Sequence, residues 1–260
     1  MEYQAPSVSV ITVVYNGAGT LDKTIRSVRA QEGVSLEYIV VDGGSDDGTL
    51  DIIAGCRDDI TAWVSEPDQG IYDAMNKGVR LAAMDWLVFM NAGDVFRNEN
   101  IVAKAMKFSS DADLIYGSCA YDVEGITQGM SAKPIEDIWK GMPFSHQALF
   151  VRRDLLLRHP FDINLKIAAD YEFIAAMYKD GRRFVDCGEL IAVMDATGVS
   201  RERRLETYAE WAAVAKQYFD RPEVAAYHRR RRMMERFKGP LRRLLPPKLI
   251  ALVKSTVRHQ

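Results

Sequence analysis

The apolar positions of this chain fall into short runs separated by polar, glycine-rich breaks. Val8 to Val14 (VSVITVV) is an almost unbroken β-branched run, the pattern of a strand buried on both faces. Tyr15-Asn16-Gly17 ends it. Thr20 then stands where it can cap a helix whose apolar residues Leu21, Ile25 and Val28 recur at helical spacing. The same reading predicts a buried strand from Leu36 to Val41 and a helix through Leu50, Ile52 and Ile53. A short strand from Ala62 to Ser65, a helix over 71–81 and a strand from Trp86 to Met90 follow. Strand and helix in alternation are the βαβ pattern of a mostly parallel α/β sheet with helices on both faces. Such crossovers bring the C-terminal ends of the strands to one edge, where open α/β sheets bind ligands. Four polar segments fall on that edge: Tyr15-Asn16-Gly17, the run from Asp42 to Thr49, the run from Glu66 to Gly70, and Asn91-Ala92-Gly93-Asp94.

Beyond Ile101 the pattern weakens. Strands are expected at 114–116, 148–151, 183–186 and 190–194, with strand or loop over 121–130. A short helix is expected at 135–140, and longer ones at 170–179 and 201–218.

Composition adds limits. The chain has 260 residues, 48% hydrophobic and 27% charged, ordinary for a soluble chain long enough for one α/β domain, or one domain plus an appendage. Three separated cysteines give neither a disulfide framework nor a zinc ribbon and fit a reducing cytoplasm. The first residues lack the pattern of a signal peptide, and no apolar run has the length of a membrane span. The net charge of −2 hides a split. From His228 onward there are 11 Lys and Arg against one acid, Glu235, whereas the preceding 227 residues hold 23 basic and 35 acidic side chains. In that basic tail, Met233, Met234, Phe237, Leu241, Leu244, Leu245, Leu249, Ile250, Leu252 and Val253 interleave with Arg and Lys, and Pro240, Pro246 and Pro247 are expected to break it into pieces. Residues 228–258 therefore suit an anionic membrane surface. A helix packed on the body or on a second subunit is the alternative. An acidic body without a recognition motif argues against nucleic acid.

The polar breaks carry the candidate chemistry. The Asp42 loop has neither GxGxxG nor GxxxxGK[ST]. It offers a carboxylate able to accept from a ribose hydroxyl or a base N–H, or else it is simply a turn. Gly70 precedes a helix start, whose free N–H groups suit a phosphate. Asp94, at the end of WLVFM, is placed to hold Mg²⁺ or Mn²⁺ or to cap the next turn.

The series VSVITVVYN, IVVDGGSDDGT, EPDQGIYDAMNKG and FMNAGD resembles the family 2 glycosyltransferases over residues 7 to 200. Within them it is similar to bacterial enzymes of exopolysaccharide or O-antigen synthesis. The resemblance implies a GT-A (Rossmann-like) fold and inverting transfer from a nucleotide-sugar donor to a lipid-linked or other saccharide acceptor. It divides the chain into a domain over 1–220, with a nucleotide-binding half (1–97) and an acceptor-binding half (98–220), and a basic tail over 221–260. It implies that Thr12, Val14 and Asn16 line the nucleobase pocket and that Asp42 binds base or ribose beside Ser45 and Asp46. Tyr72, Asn76 and Lys77 would contact nucleotide or donor sugar, with Gly70 opening their helix. Asp94 matches the last acid of the family's metal-binding motif, although Asn91 and Gly93 stand where many members carry acids. Asp170 matches the general base, with Ala169 in place of the usual Glu. His146, in FSHQALF, and Glu172 would lie on the acceptor or diphosphate side. The expected enzyme is peripheral on the inner face of the cell membrane. The competing expectations are a non-catalytic nucleotide-sugar binder recruited to a membrane, and a nucleotidyltransferase. The latter is disfavoured because the stretch from Tyr15 to Leu21 has no basic residue.

Overall fold

The computed structural model describes residues 6–123, 126–195 and 203–243. Its first half follows the alternation of periods. Strand β1 (Ser7–Val14) is followed by α1 (Leu21–Arg29), β2 (Ser35–Asp42), α2 (Thr49–Gly55), β3 (Ala62–Ser65), α3 (Ile71–Leu81) and β4 (Trp86–Phe89). The second half contains β5 (Val95–Phe96), α4 (Ile101–Met106), β6 (Leu114–Val123), β7 (Ile126–Met130), β8 (Leu149–Arg152), α5 (Arg153–Arg158), α6 (Ala169–Lys179) and β9 (Phe184–Asp195). Helices α7 (Arg204–Tyr218) and α8 (Pro222–Arg243) complete it.

The sheet runs β3-β2-β1-β4-β8-β6-β9-β5, with β7 paired to β6. The pairs β3–β2, β2–β1 and β1–β4 are parallel. Strand β8 is antiparallel to both β4 and β6, and β6–β9 is parallel again. β1 alternates its side chains between two cores, as a strand covered on both faces must. Val8, Val10 and Val14 pack with Leu21, Ile25 and Val28 of α1, whereas Ile11 and Val13 pack with Met75 and Val79 of α3. Helix α3 lies close on β1 because Gly78 has no side chain; a Cβ there would sit 2.4 Å from Ile11 Cγ2.

Several details differ from the sequence reading, among them the unexpected β5 and α5. Thr20 does not cap α1, since its hydroxyl bonds back to Gly17 O at 3.3 Å. α4 was not anticipated, being a single short apolar helix. The two strands expected between Arg183 and Met194 form one, β9, whose pairing with β6 shifts register near Gly117 and Ser118. Pro240 does not end α8, which continues to Arg243. Of the basic tail, residues 244–260 lie outside those described, as do residues 201 and 202 of the helix expected at 201–218. Among the described residues no helix is long and apolar enough to cross a membrane.

The first part of the basic tail is docked on the body. His228 and Glu235 are buried, with His228 Nε2 2.9 Å from Trp139 O and Glu235 3.1 Å from Arg204. The Arg231 guanidinium stacks over Tyr208 and Trp211 and donates to Lys140 O at 2.7 Å. The other side of α8 presents Arg229, Arg230, Arg232, Met233 and Arg236 to solvent.

Candidate active site

The parallel strands end on one edge, and the predicted polar loops converge there. Asp42, the last residue of β2, is the hub of the first cluster. Its carboxylate accepts from Gly44 N (3.1 Å), Ser45 N (3.0 Å), Ser65 Oγ (2.6 Å) and Ser45 Oγ. Burial opposes its charge, but these hydrogen bonds outweigh it and hold the Asp42 carboxyl below its ordinary value. Asn16, in a left-handed conformation with φ 50°, ties the β1 loop to the β2 loop. Its N–H donates to Ser45 Oγ at 2.8 Å, and its Oδ1 accepts from Asp46 N at 3.0 Å. The loops approach closely at Gly43, where a Cβ would sit 2.5 Å from Asp68 Oδ2 and displace that side chain. Tyr15, 68% exposed beside this loop, was not singled out in the sequence. An aromatic residue left in water at the end of an otherwise buried strand was the available signal.

Several predicted contacts are committed elsewhere. Thr12 has no exposed surface, and its hydroxyl bonds Met90 O (2.7 Å) and Tyr38 OH (3.0 Å) inside the sheet. Val14 packs in the core against α1. Asn76 uses both ends of its amide on Phe161, donating to its carbonyl (2.9 Å) and accepting from its N–H (3.0 Å). Lys77 is tied to Glu66 (2.9 Å), Asp73 (3.7 Å) and Pro67 O (2.9 Å), which fixes the loop before α3. Gly70 opens α3 with φ 121°, and its N–H donates to Asp68 Oδ1 at 2.8 Å. Thr12, Asn76 and Lys77, expected to contact the donor, thus make these bonds within the protein. Each of these polar groups already has a buried or charged partner.

The second cluster joins α3, the β4 loop, the segment before β8, and α6. Tyr72 is buried and donates from its hydroxyl to Asp170 Oδ1 at 3.1 Å, so it reaches the base rather than open solvent. Burial, then the neighbouring Asp170 charge, pushes the Tyr72 phenol well above its ordinary value and keeps it a donor. His146 Nδ1 lies 3.0 Å from Asp170 Oδ2, and its Nε2 lies 3.0 Å from Asn91 Nδ2. The next residue, Gln147, donates to Asp94 Oδ2 at 2.8 Å. Consecutive side chains of one turn, His146 and Gln147, therefore bridge the Asp170 and Asp94 carboxylates. Asp94 Oδ1 accepts from Asp195 N at 3.0 Å. Burial pushes the Asp94 carboxyl up despite these two donors.

Glu172 does not join this cluster. Two positions along a helix is about 200° of rotation, which turns Glu172 away from Asp170. It is buried between His159 (3.1 Å) and the Tyr218 hydroxyl, where it docks the end of α7 on α6. The sequence reading put Glu172 on the acceptor or diphosphate side; its bonds here are to His159 and Tyr218.

A cation is compatible with Asp94. This buried carboxylate has two N–H donors for its four lone-pair positions and no Lys or Arg in contact among the described residues. An uncompensated charge of that kind favours a cation whose remaining ligands are phosphate oxygens. No cluster of three or more His, Cys, Asp or Glu suited to a metal occurs among the described residues.

Comparison with known proteins supplies the class. The model of "Glycosyl transferase family 2" matches residues 9–164. An uncharacterized glycosyltransferase of Mycobacterium tuberculosis is 33% identical over 215 residues, 76% of this chain and 79% of that protein. The PGL/p-HBAD biosynthesis glycosyltransferase of Mycobacterium bovis is 32% identical over 176 residues, 65% of this chain and 68% of its own. Among solved structures, S. aureus TarS superposes with a TM-score of 0.64 at 21% identity, over 85% of this chain but only 41% of TarS. The mannosyltransferase PcManGT of Pyrobaculum calidifontis, in complex with GDP-Man and Mn2+, gives a TM-score of 0.61 at 18% identity, over 98% of this chain and 81% of its own. Both structural likenesses are of GT-A fold.

Proposed function

Starting from the premise that the chain belongs to the family 2 glycosyl transferases, we propose that this glycosyltransferase moves a sugar from a nucleotide-diphosphate sugar to an acceptor hydroxyl with inversion. The observation that carries this reading is Asp170. Its carboxylate is fixed by Tyr72, His146 and the Tyr171 N–H at the ligand edge of the sheet, with 15% of the side chain still open to solvent. A carboxylate so fixed can accept the proton of an attacking hydroxyl. Its partners are a phenol, an imidazole and an amide rather than a second carboxylate. That favours direct displacement over a covalent glycosyl intermediate, which needs a nucleophilic carboxylate nearby.

The Asp42 cluster would hold the nucleoside. Asp42 stays ionised and orders Ser45, while exposed Tyr15 offers a ring for the base. Asp94 would hold Mg²⁺ or Mn²⁺ on the diphosphate; when bound, the cation neutralises charge on the leaving group. The Gly70 start of α3 adds positive potential near the same edge. We place the acceptor among saccharides of cell-surface polysaccharide or glycolipid synthesis, and a lipid-linked saccharide suits the basic tail. The outer face of α8, with Arg229, Arg230, Arg232 and Arg236 exposed, supports contact with an anionic membrane surface from the cytoplasmic side.

The test is Asp170→Asn. Transfer should fall by about 10²–10⁴-fold, while nucleoside diphosphate binding measured by calorimetry stays intact. Lost binding in a folded variant would make Asp170 a binding residue instead. Donors are found by thermal shift with a panel of UDP- and GDP-sugars.

A further inference from the structure

His146 and Asn91 are not explained by donor binding, and the bonds they make point at the base. An ionised carboxylate offers four lone-pair positions. On Asp170, Oδ1 already accepts from the Tyr72 hydroxyl (3.1 Å) and from Tyr171 N (2.8 Å). Oδ2 accepts from His146 Nδ1 at 3.0 Å, which leaves one lone pair, on Oδ2, for an incoming proton. The direction of that open position is therefore set by the imidazole. The imidazole is set in turn by Asn91, whose Nδ2 donates to Nε2 at 3.0 Å. An amide nitrogen can only donate, so Nε2 must be the unprotonated nitrogen and Nδ1 must carry the hydrogen. A carboxylate at position 91 could only accept. It would demand an Nε2–H and, with Asp170 already accepting from Nδ1–H, would turn the ring into an imidazolium.

We infer that Asn91 and His146 are positioning residues for the base. Asn91 holds His146 as the neutral Nδ1–H tautomer, and His146 holds Asp170 so that a single Oδ2 lone pair faces the acceptor hydroxyl. This rests on Asp170 being the base. It also gives the Asn at position 91, where an acid would have matched the family pattern, a chemical reason. The amide keeps a positive charge away from a base that must receive a proton. Asn91 Oδ1 is buried without a hydrogen-bond partner.

The experiment uses the full chain labelled with ¹⁵N-histidine, the His146 signals being identified by their loss in His146→Asn. We expect an unprotonated Nε2 and a protonated Nδ1 in the wild type, and two protonated ring nitrogens in Asn91→Asp. Turnover is read as nucleoside diphosphate released from the UDP- and GDP-sugar panel with Mn²⁺. His146→Ala should lower kcat by about 10²-fold, the scale of a misplaced reacting group, while the donor KM is unchanged. His146→Asn, whose amide nitrogen takes the place of Nδ1, should recover most of that loss. Circular dichroism and UDP affinity verify that each variant is folded. A wild-type Nε2–H, an Asn91→Asp variant with an unaltered ring, or a folded His146→Ala with normal kcat would each overturn the inference. Transfer surviving Asp170→Asn would remove the base assignment and the positioning role together. An Nε2-protonated ring in a chain that Asp170→Asn inactivates would remove only the inference drawn from Asn91.

Discussion

Asn76→Ala separates two accounts of one side chain. Family resemblance puts Asn76 on the nucleotide or sugar, whereas its amide is spent on the backbone of Phe161, with both residues buried. Truncation removes two hydrogen bonds and leaves a buried N–H and a buried C=O without partners. Each such group costs about 1–3 kcal/mol. Some relaxation of the 161 segment toward water is expected, so the combined loss should be about 3 kcal/mol rather than the full sum. For a chain of this size that lowers Tm by about 6–12 °C. Phe161 also touches Tyr72 and Phe89, at ring-centroid distances of 5.6 Å each, so the loosening would be felt along α3. Urea unfolding gives the stability, and calorimetry with UDP and GDP gives the affinity. The reasoning requires a clear loss of stability with nucleotide affinity changed by less than about threefold, a difference under 1 kcal/mol. A variant as stable as the wild type that binds nucleotide tenfold more weakly would show that the amide faces the ligand.

Further outcomes follow from the two carboxylates and the basic helix. Asp94 has a raised folded pKa, so ionising it costs the folded state; that cost grows as pH rises from the unfolded value toward the folded one and stays in place above it. Asp94→Asn should therefore stabilise the metal-free protein at neutral pH and abolish any rise of Tm with Mn²⁺; a variant that Mn²⁺ still stabilises would refute the site. Asp42 has a lowered folded pKa, so its contribution is complete above the ordinary Asp value and is lost as pH falls through the folded one. Urea titrations at decreasing acid pH should show the wild type converging on Asp42→Asn, and parallel curves would contradict the assignment. Replacing Arg229, Arg230, Arg232 and Arg236 by Gln should lower binding to anionic vesicles by about 10²–10³-fold at low salt, from about 1 kcal/mol per basic residue. Unchanged co-sedimentation would place the contact elsewhere.

The half of the fold from β1 to β4 was legible because each element there covers a face with residues of one period. β1 and β2 are buried on both sides and read as continuous runs, and α1 and α3 show an apolar stripe. The second half was less legible for local reasons. β9 crosses Cys187-Gly188-Glu189, where Gly188 takes a φ of 70° and the apolar pattern lapses, so one strand reads as two. α4 is only six residues long, too short for a stripe. In the site, the positions of Asp42, Asp94 and Asp170 were readable because strand and helix ends determine them. The partners of Tyr72, Asn76 and His146 were not. Tyr72 meets Asp170 98 positions away, and Asn76 meets Phe161 85 positions away, separations that no local pattern reports.

The basic tail shows the same limit in sharper form. An apolar scan sees Met and Leu among arginines and assigns one amphipathic face to lipid. In the docked helix the inward positions include Val224, His228, Arg231 and Glu235, spaced three or four apart as one helix face requires. Three of these four are ionisable residue types, so hydropathy places them outside. They point inward because the body supplies matched partners: a carbonyl at Trp139, Arg204 for Glu235, and aromatic faces at Tyr208 and Trp211 for Arg231. A cation on an aromatic face that also donates to a carbonyl is partly compensated for leaving water. Docking consumes one arginine of the HRRRR run and turns its neighbours outward. Among the described residues, the outward charge of Arg229, Arg230, Arg232 and Arg236 is therefore borne by a face whose orientation relative to the Asp170 edge is fixed by the α7–α8 packing.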